Sequence, residues 1–349
     1  MNGLFLSHQQ VPACNFSGEL HTKKKQKTNT MNHKWLLLIL LFLSVSCENE
    51  QGRIIQIQAN ETTGFHFPYF LYIPEKMDTA NSQFLIVEPN NSGFTSDDFD
   101  EHLEKAKRVA SKDFYLGNFL ARQLNYPLLV PVFPRPAENW HIYTHSLDRD
   151  AMNQRGNDLE RMDLQLLGMV EDAQIRLKEM GYSAQQQFLL TGFSASGTFA
   201  NRFSMIHPER ILAVAAGGLN GLLMLPTDSL HGHAMSYPLG TCDFADRFEK
   251  PFQLETFRQT PQFWFMGELD ENDAIPYADG YDEDERNLIY ETLGEQMQPE
   301  RWTNCALQYE AHHIEATIKT YPGVGHEHPE TVKQDLLKFF ESAIDQANH

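Results

Sequence analysis

The sequence predicts an α/β fold, with a mainly parallel central sheet and helices on both faces. Apolar runs of strand length recur along the chain, separated by amphipathic stretches of helix length. Three of the runs end in glycine-containing turns that carry a serine, a carboxylate and a histidine in that order. Strands joined by helix-length connections run parallel, because the chain crosses back over the sheet before the next strand begins. With 349 residues, 41% hydrophobic and 21% charged, the chain is long enough for one large core. No internal repeat or long low-complexity linker interrupts it, so a single domain with loop insertions is expected over residues 47–349.

The amino-terminal residues are set apart from that domain. Met31-Asn32-His33-Lys34 is a short basic start to the apolar run 35–46, which is too short to span a bilayer comfortably. Residues 31–46 therefore read as a secretory signal peptide. Cys47 follows the small Ser46, where a bacterial lipoprotein signal places its acylated cysteine, although Ser44 stands where a leucine is usual. Lipidation at Cys47 and export to the cell envelope are expected, with a lipid anchor as the only membrane contact. Simple cleavage nearby, followed by secretion, is the alternative. Residues 1–30, with Lys23-Lys24-Lys25, read as an upstream start or a disordered leader.

Within the domain, residues 54–58 and 69–74 read as antiparallel opening strands joined through Thr62-Thr63-Gly64. Residues 84–88 and 128–133 are buried strands. Between them, 99–124 has helical periodicity, acidic early and basic late, as the helix dipole prefers. Residues 158–180 form an amphipathic crossover helix ended by Gly181, and lead to the apolar run that stops at Phe193. Residues 261–266 and 316–321 are further strands. A last amphipathic helix, 330–346, opens after Pro329.

The chemistry lies in the turns. In Thr191-Gly192-Phe193-Ser194-Ala195-Ser196-Gly197 an apolar run meets a serine with small neighbours, and a helical pattern starts at once. A strand-to-helix turn of this kind exposes a hydroxyl at the carboxyl edge of a sheet, and its tight backbone requires small residues two places either side. Gly192 and Ser196 meet that demand around Ser194. Serine at 196 in place of a second glycine leaves Ser196 as the alternative nucleophile. Asp270 follows the strand 261–266 within Gly267-Glu268-Leu269-Asp270, and Asp273 competes with it. His326 follows the last strand within Pro322-Gly323-Val324-Gly325-His326, and His328 competes with it.

Serine, acid and histidine in this order, each just past a strand, resemble the α/β-hydrolase superfamily. The resemblance is to its serine esterases, nearest to the polyhydroxybutyrate-depolymerase and feruloyl-esterase-like branch. It covers the chain from about Gln83 onward, including His207-Pro208-Glu209-Arg210 and the small apolar run 211–218. It implies an α/β-hydrolase fold with a loop or lid insertion before the acid strand, and cleavage of carboxylic esters through an acyl-enzyme. Ser194 would attack, His326 would carry the proton and Asp270 would hold the imidazole. The oxyanion hole would use the backbone N–H groups of Ala195 and Asn91, with Asn90 in reserve, since Pro89 has none. The substrate would be a small-molecule or polymeric ester, with no cofactor. A serine peptidase of the same fold, and a non-catalytic hydrolase-fold surface lipoprotein, are the alternatives.

Charge and cysteine usage narrow the partners. Residues 1–47 hold five lysines and one glutamate, so the remaining chain has a balance of −23, against −19 for the whole. Such a surface repels nucleic acid and anionic headgroups. Cys242 and Cys305 form an even pair in a compartment that permits disulfides, and are read as a bridge or as two buried thiols. No metal site is expected: the nine carboxylates between Gly267 and Arg286 lack a calcium-loop pattern and read as a solvated loop. The long connection 219–260 reads as a lid, a pocket wall or packed scaffold. Residues 134–152, with Trp140, Tyr143 and His145, lie where they can meet substrate.

Overall fold

The structure is a computed structural model and describes residues 52–90 and 93–348. The expected leader, signal peptide and Cys47, and also Asn91, lie outside the described residues. In chain order the elements are β1 (Arg53–Ile57), β2 (Tyr69–Ile73), β3 (Gln83–Val87), α1 (Phe99–Ser111), α2 (Leu116–Leu124) and β4 (Leu128–Pro131). There follow α3 (Arg149–Met152), α4 (Met162–Glu179), β5 (Ala184–Phe193), α5 (Ala195–Ile206) and β6 (Ile211–Gly217). A two-residue hairpin, β7 (Ser229–Leu230) and β8 (His233–Ala234), precedes α6 (Phe244–Phe248), α7 (Leu254–Gln259) and β9 (Gln262–Gly267). The chain ends with α8 (Glu283–Leu293), α9 (Trp302–Ala311), β10 (Ala316–Tyr321) and α10 (Glu330–Ala347).

Eight strands form one sheet in the order β1-β2-β4-β3-β5-β6-β9-β10. Only β2 runs against its neighbours; the pairs from β4 to β10 are all parallel. Parallel pairing is what gathers the turns. Phe193 is level with Gly217, Gly217 with Phe265, and Gly267 with Tyr321, so the segments after β5, β6, β9 and β10 leave the same edge.

Residues of the central strands alternate between two cores, although nearly every position of β2, β3, β4, β6 and β9 is buried. Leu85, Val87, Phe188, Leu190, Val214, Ala216, Trp264 and Met266 point into one core with α4, α5 and α9. Their sequence neighbours Phe84, Ile86, Leu189, Ala213, Ala215, Phe263 and Phe265 point into the other, with α1, α2 and α10. A parallel strand covered on both faces reads as a continuous apolar run, so the period of two vanishes from its sequence while governing its packing.

The described structure departs from the expectations in some places and selects among their alternatives in others. The single helical stretch 99–124 is two helices, broken at Lys112–Tyr115; across the break the Asn118 amide on α2 donates to the Ala110 carbonyl at 2.6 Å, satisfying an end group of α1. In the connection 219–260 the run Leu222, Leu223, Met224 and Leu225 is buried in the first core, the scaffold reading of that part of the segment. Cys242 and Cys305 are free thiols, not a bridge. Cys242 is exposed, whereas Cys305 is buried on α9 with its thiol 3.7 Å from the Leu223 carbonyl, and burial pushes that thiol up to about 12. Finally, the acidic stretch after β9 is tied down by arginines, as described below. No helix among the described residues is long and apolar enough to cross a membrane.

Candidate active site

Ser194 occupies the turn between β5 and α5 with φ 63° and ψ −129°. For a non-glycine residue this is a sparsely populated region, costing about 1–3 kcal/mol, which the surroundings must offset. They do so through backbone contacts. The Ser194 N–H donates to the Gly217 carbonyl at 3.0 Å, and its own carbonyl accepts from Thr198 N–H at 3.0 Å, the first bond of α5. A Cβ on Gly192 would lie 2.3 Å from the Ser196 carbonyl oxygen, so only glycine fits there. Gly197 has the same duty one layer across, where a Cβ would lie 2.5 Å from the Gly217 oxygen. The second glycine therefore sits where α5 crosses β6, one place later than the sequence pattern suggests.

Ser196 is fully buried, and its hydroxyl both accepts from Phe193 N–H and donates to the Phe193 carbonyl, each at 2.9 Å. That hydroxyl braces the turn and is closed to substrate. Ser194 is partly exposed, with Oγ 3.5 Å from Asn220 Oδ1, the outer limit of a hydrogen bond. Ala195 opens α5, and its N–H has no acceptor within the helix.

Asp270 and His326 are joined. The His326 Nδ1 lies 2.9 Å from Asp270 Oδ2 and 3.1 Å from Oδ1, with Asp270 only 4% exposed. A carboxylate accepts only, so Nδ1 carries the proton and a neutral ring keeps its lone pair on Nε2. The two loops meet through another glycine. A Cβ on Gly267 would stand 2.3 Å from the Gly325 oxygen and 2.4 Å from the Val324 oxygen. Leu269 N–H donates to the Val324 carbonyl at 2.8 Å, and Gly323 N–H to Glu268 Oε2 at 2.8 Å. The Phe193 ring supports the imidazole at 4.6 Å between centroids.

The competing residues are engaged elsewhere. Asp273 pairs with the buried Arg301 and accepts from Ile275 N–H at 3.1 Å. His328 is buried against Phe193 and Phe114; burial, then the Lys333 charge, pull it down to about 4, so it stays neutral. Asn90 is also buried, and its amide bonds the Phe133 carbonyl at 2.9 Å and the Phe133 N–H at 3.1 Å, fastening the loop after β3 to the end of β4. His145 is buried behind that loop, 2.6 Å from the same carbonyl.

The fold of the chain is also found among known proteins. Poly(aspartic acid) hydrolase-1 from Sphingomonas sp. KT-1 superposes with a TM-score of 0.53 at 16% identity, covering 82% of this chain and 97% of that one. The chain has the α/β-hydrolase fold. Looser likenesses extend to a poly(3-hydroxybutyrate) depolymerase from Bordetella parapertussis (TM-score 0.48, 19% identity, covering 83% and 88%). Another is an S-formylglutathione hydrolase from Agrobacterium tumefaciens (TM-score 0.47, 12% identity, covering 84% and 94%). Comparison with family models gives no match, and neither does comparison with curated proteins.

On this hydrolase fold Ser194 borders two cavities. One, of about 340 Å³, is also lined by His326, Glu88, Phe114 and Tyr115. The other, of about 570 Å³, is lined by Asn220, Asn272, Arg135, Trp140, Tyr143 and Asp279 among others. Sequence reasoning named Trp140 and Tyr143 but missed Asn220, Asn272, Arg135, Asp279 and Glu88. Asn220 had a signal: it stands three residues past β6, at the carboxyl edge where α/β sheets bind ligands. Among the described residues, no group of three or more His, Cys, Asp or Glu is placed to hold a metal ion.

Glu88 is an unusual wall for the smaller cavity. Its carboxylate accepts from Gly117 N–H at 2.7 Å, at the start of α2, yet burial pushes the carboxyl up from 4.5 to about 7. Between those values the unfolded chain has lost the proton and the folded chain has kept it. Stability therefore falls as pH rises from about 4.5 to about 7 and levels off above, a loss of about 3 kcal/mol from this group. Glu88→Gln keeps an acceptor for Gly117 and removes the titration. Urea unfolding should find this variant gaining about 3 kcal/mol on the wild type between pH 4.5 and 8; parallel pH profiles would contradict the assignment.

Proposed function

We propose that the protein is a serine hydrolase that cleaves carboxylic esters through an acyl-enzyme. The observation that carries this reading is the Asp270–His326 hydrogen bond at the sheet edge where Ser194 is held in a strained turn, with Ser194 and His326 lining one cavity.

In the proposed reaction the His326 Nε2 lone pair takes the proton of the Ser194 hydroxyl as Oγ attacks the ester carbonyl carbon. Asp270 keeps the ring oriented and stabilises the imidazolium without being protonated itself. The carbonyl oxygen becomes an oxyanion in reach of backbone N–H groups, the Ala195 N–H at the start of α5 and a second from the loop 89–93, for which Asn91 is the proposed donor. Collapse expels the alcohol, whose oxygen takes the proton from His326, and the acyl group remains on Ser194. Water then repeats the sequence: His326 takes its proton, hydroxide adds to the acyl carbon, and Ser194 leaves reprotonated with a carboxylic acid as product. The α5 amino end favours the negative intermediate, because its free N–H groups carry the positive end of the helix dipole.

Hydrolysis of p-nitrophenyl acetate by purified variants tests the roles. Ser194→Ala should remove turnover, and Asp270→Asn should lower kcat by roughly 10⁴, as loss of the orienting carboxylate does in such triads. Asp273→Asn should lose thermal stability, since it leaves buried Arg301 without its partner, yet retain kcat within about tenfold. A loss in Asp273→Asn equal to that in Asp270→Asn would overturn the assignment of the acid.

We also propose that the enzyme is exported and anchored by lipid at Cys47, a reading supported by the basic start, apolar run and small residue that precede it. Radiolabelled palmitate fed to cells expressing the full chain should enter the wild type and not Cys47→Ser, which should move to the soluble fraction. An unlabelled wild type would defeat the proposal.

A further inference from the structure

The two cavities that meet at Ser194 differ in the one respect that decides which half of an ester each receives. The leaving oxygen must take its proton from His326, so the departing alcohol lies on the His326 side, in the smaller cavity. The acyl group stays bonded to Oγ and extends into the larger cavity, which His326 does not line.

That larger cavity is built of groups that need hydrogen bonds. Asn220 is buried beside the nucleophile, and its Oδ1 lies 3.3 Å from the Asn272 amide. The Arg135 side chain, 3% exposed, stacks over Tyr143 with its guanidinium carbon 3.4 Å from the ring centroid. Its fork donates to Asp279 Oδ2 at 2.7 Å, to the Gly93 carbonyl at 3.1 Å and to the Trp140 carbonyl at 3.3 Å, tying together the loops after β3, β4 and β9. Arg135 Nε is buried without a hydrogen-bond partner among the described residues. Asp279 uses only Oδ2 for the arginine and remains partly exposed. Two half-open aromatic faces, Trp140 and Tyr277, flank these polar groups.

From this arrangement we infer that the larger cavity is the acyl site and that it selects acyl chains bearing a neutral hydrogen-bonding group, a hydroxyl or an amide, over bare alkyl chains and over carboxylates. The inference rests on the ester-hydrolase reading and adds the substrate class to it. The aromatic faces receive the methylene stem. A bare alkyl end would strip water from Asn272 and Asp279 and return nothing, whereas a hydroxyl replaces the lost bonds. A carboxylate would meet Asp273 and Asp279, which line the same cavity, while Arg135, the one cation of its described lining, has both NH groups engaged by Asp279 and two backbone carbonyls.

Three p-nitrophenyl esters of matched length test it: heptanoate, its isostere 6-hydroxyhexanoate, and the adipate half-ester. The expected order of kcat/KM is hydroxyhexanoate first, by about tenfold or more over heptanoate, and adipate last. Asn272→Leu, at an exposed position, should bring the hydroxyhexanoate-to-heptanoate ratio near one. Asp279→Asn takes the charged partner from buried Arg135 and so should lower thermal stability, but at a temperature where the variant is folded it should relax the discrimination against adipate. If the wild type hydrolyses heptanoate as fast as its hydroxylated isostere, or if neither variant moves the ratios, the acyl-site inference is overturned while esterase activity stands. If none of these esters and no p-nitrophenyl acetate is turned over, the proposed function fails and takes the inference with it.

Discussion

The site depends on close approach of one backbone to another at positions that carry no side chain. His326 can reach Asp270 because the loop after β10 lies directly on the end of β9, with two carbonyl oxygens occupying the place where a Cβ of residue 267 would be. Ser194 can point out of the sheet because Gly192 and Gly197 admit the first turn of α5 to within backbone contact of β5 and β6. Packed interiors have no slack to absorb an added methyl at such distances. Three glycines on three separate segments thus set the spacing that the polar residues exploit, and the hydrogen bonds then refine it.

A second layer of constraint comes from charge. The nine carboxylates between Gly267 and Arg286 read in sequence as a solvated loop, but several are anchors. Asp273 holds Arg301, Asp279 holds Arg135, and Asp282 and Glu285 hold Arg149. Exposed pairs of this kind contribute little to stability, but Arg135 and Arg301 are buried, and a buried charge that loses its partner is strongly destabilising. The loop that presents Asp270 is consequently fastened to the segments after β4 and α8 by ion pairs, not left to solvent.

The parts of the molecule that were legible in sequence are those governed by local pattern. The apolar runs became strands, the glycine-bounded serine turn became a strained strand-to-helix junction, and the chain order of serine, acid and histidine matched their emergence at one edge. What was illegible depends on partners distant in the chain. Nothing local distinguishes Asp270 from Asp273; the difference is that one faces His326 and the other Arg301. The duty of Ser196 is hidden for the same reason, since a buried hydroxyl closing on Phe193 looks in sequence like a spare nucleophile. The break between α1 and α2 escaped notice because periodicity continues across it while Asn118 caps the end of α1. Cys242 and Cys305 looked like a pair only because there were two of them; the fold turns one to solvent and the other into the core.

The claim on which the account turns is that Ser194 is the activated nucleophile of this edge. A fluorophosphonate reacts with a serine whose hydroxyl is deprotonated by a neighbouring base, and peptide mapping by mass spectrometry then locates the adduct. The account predicts a single adduct, on Ser194. An adduct on Ser196 or another residue, or no adduct on the folded wild-type protein, would contradict it.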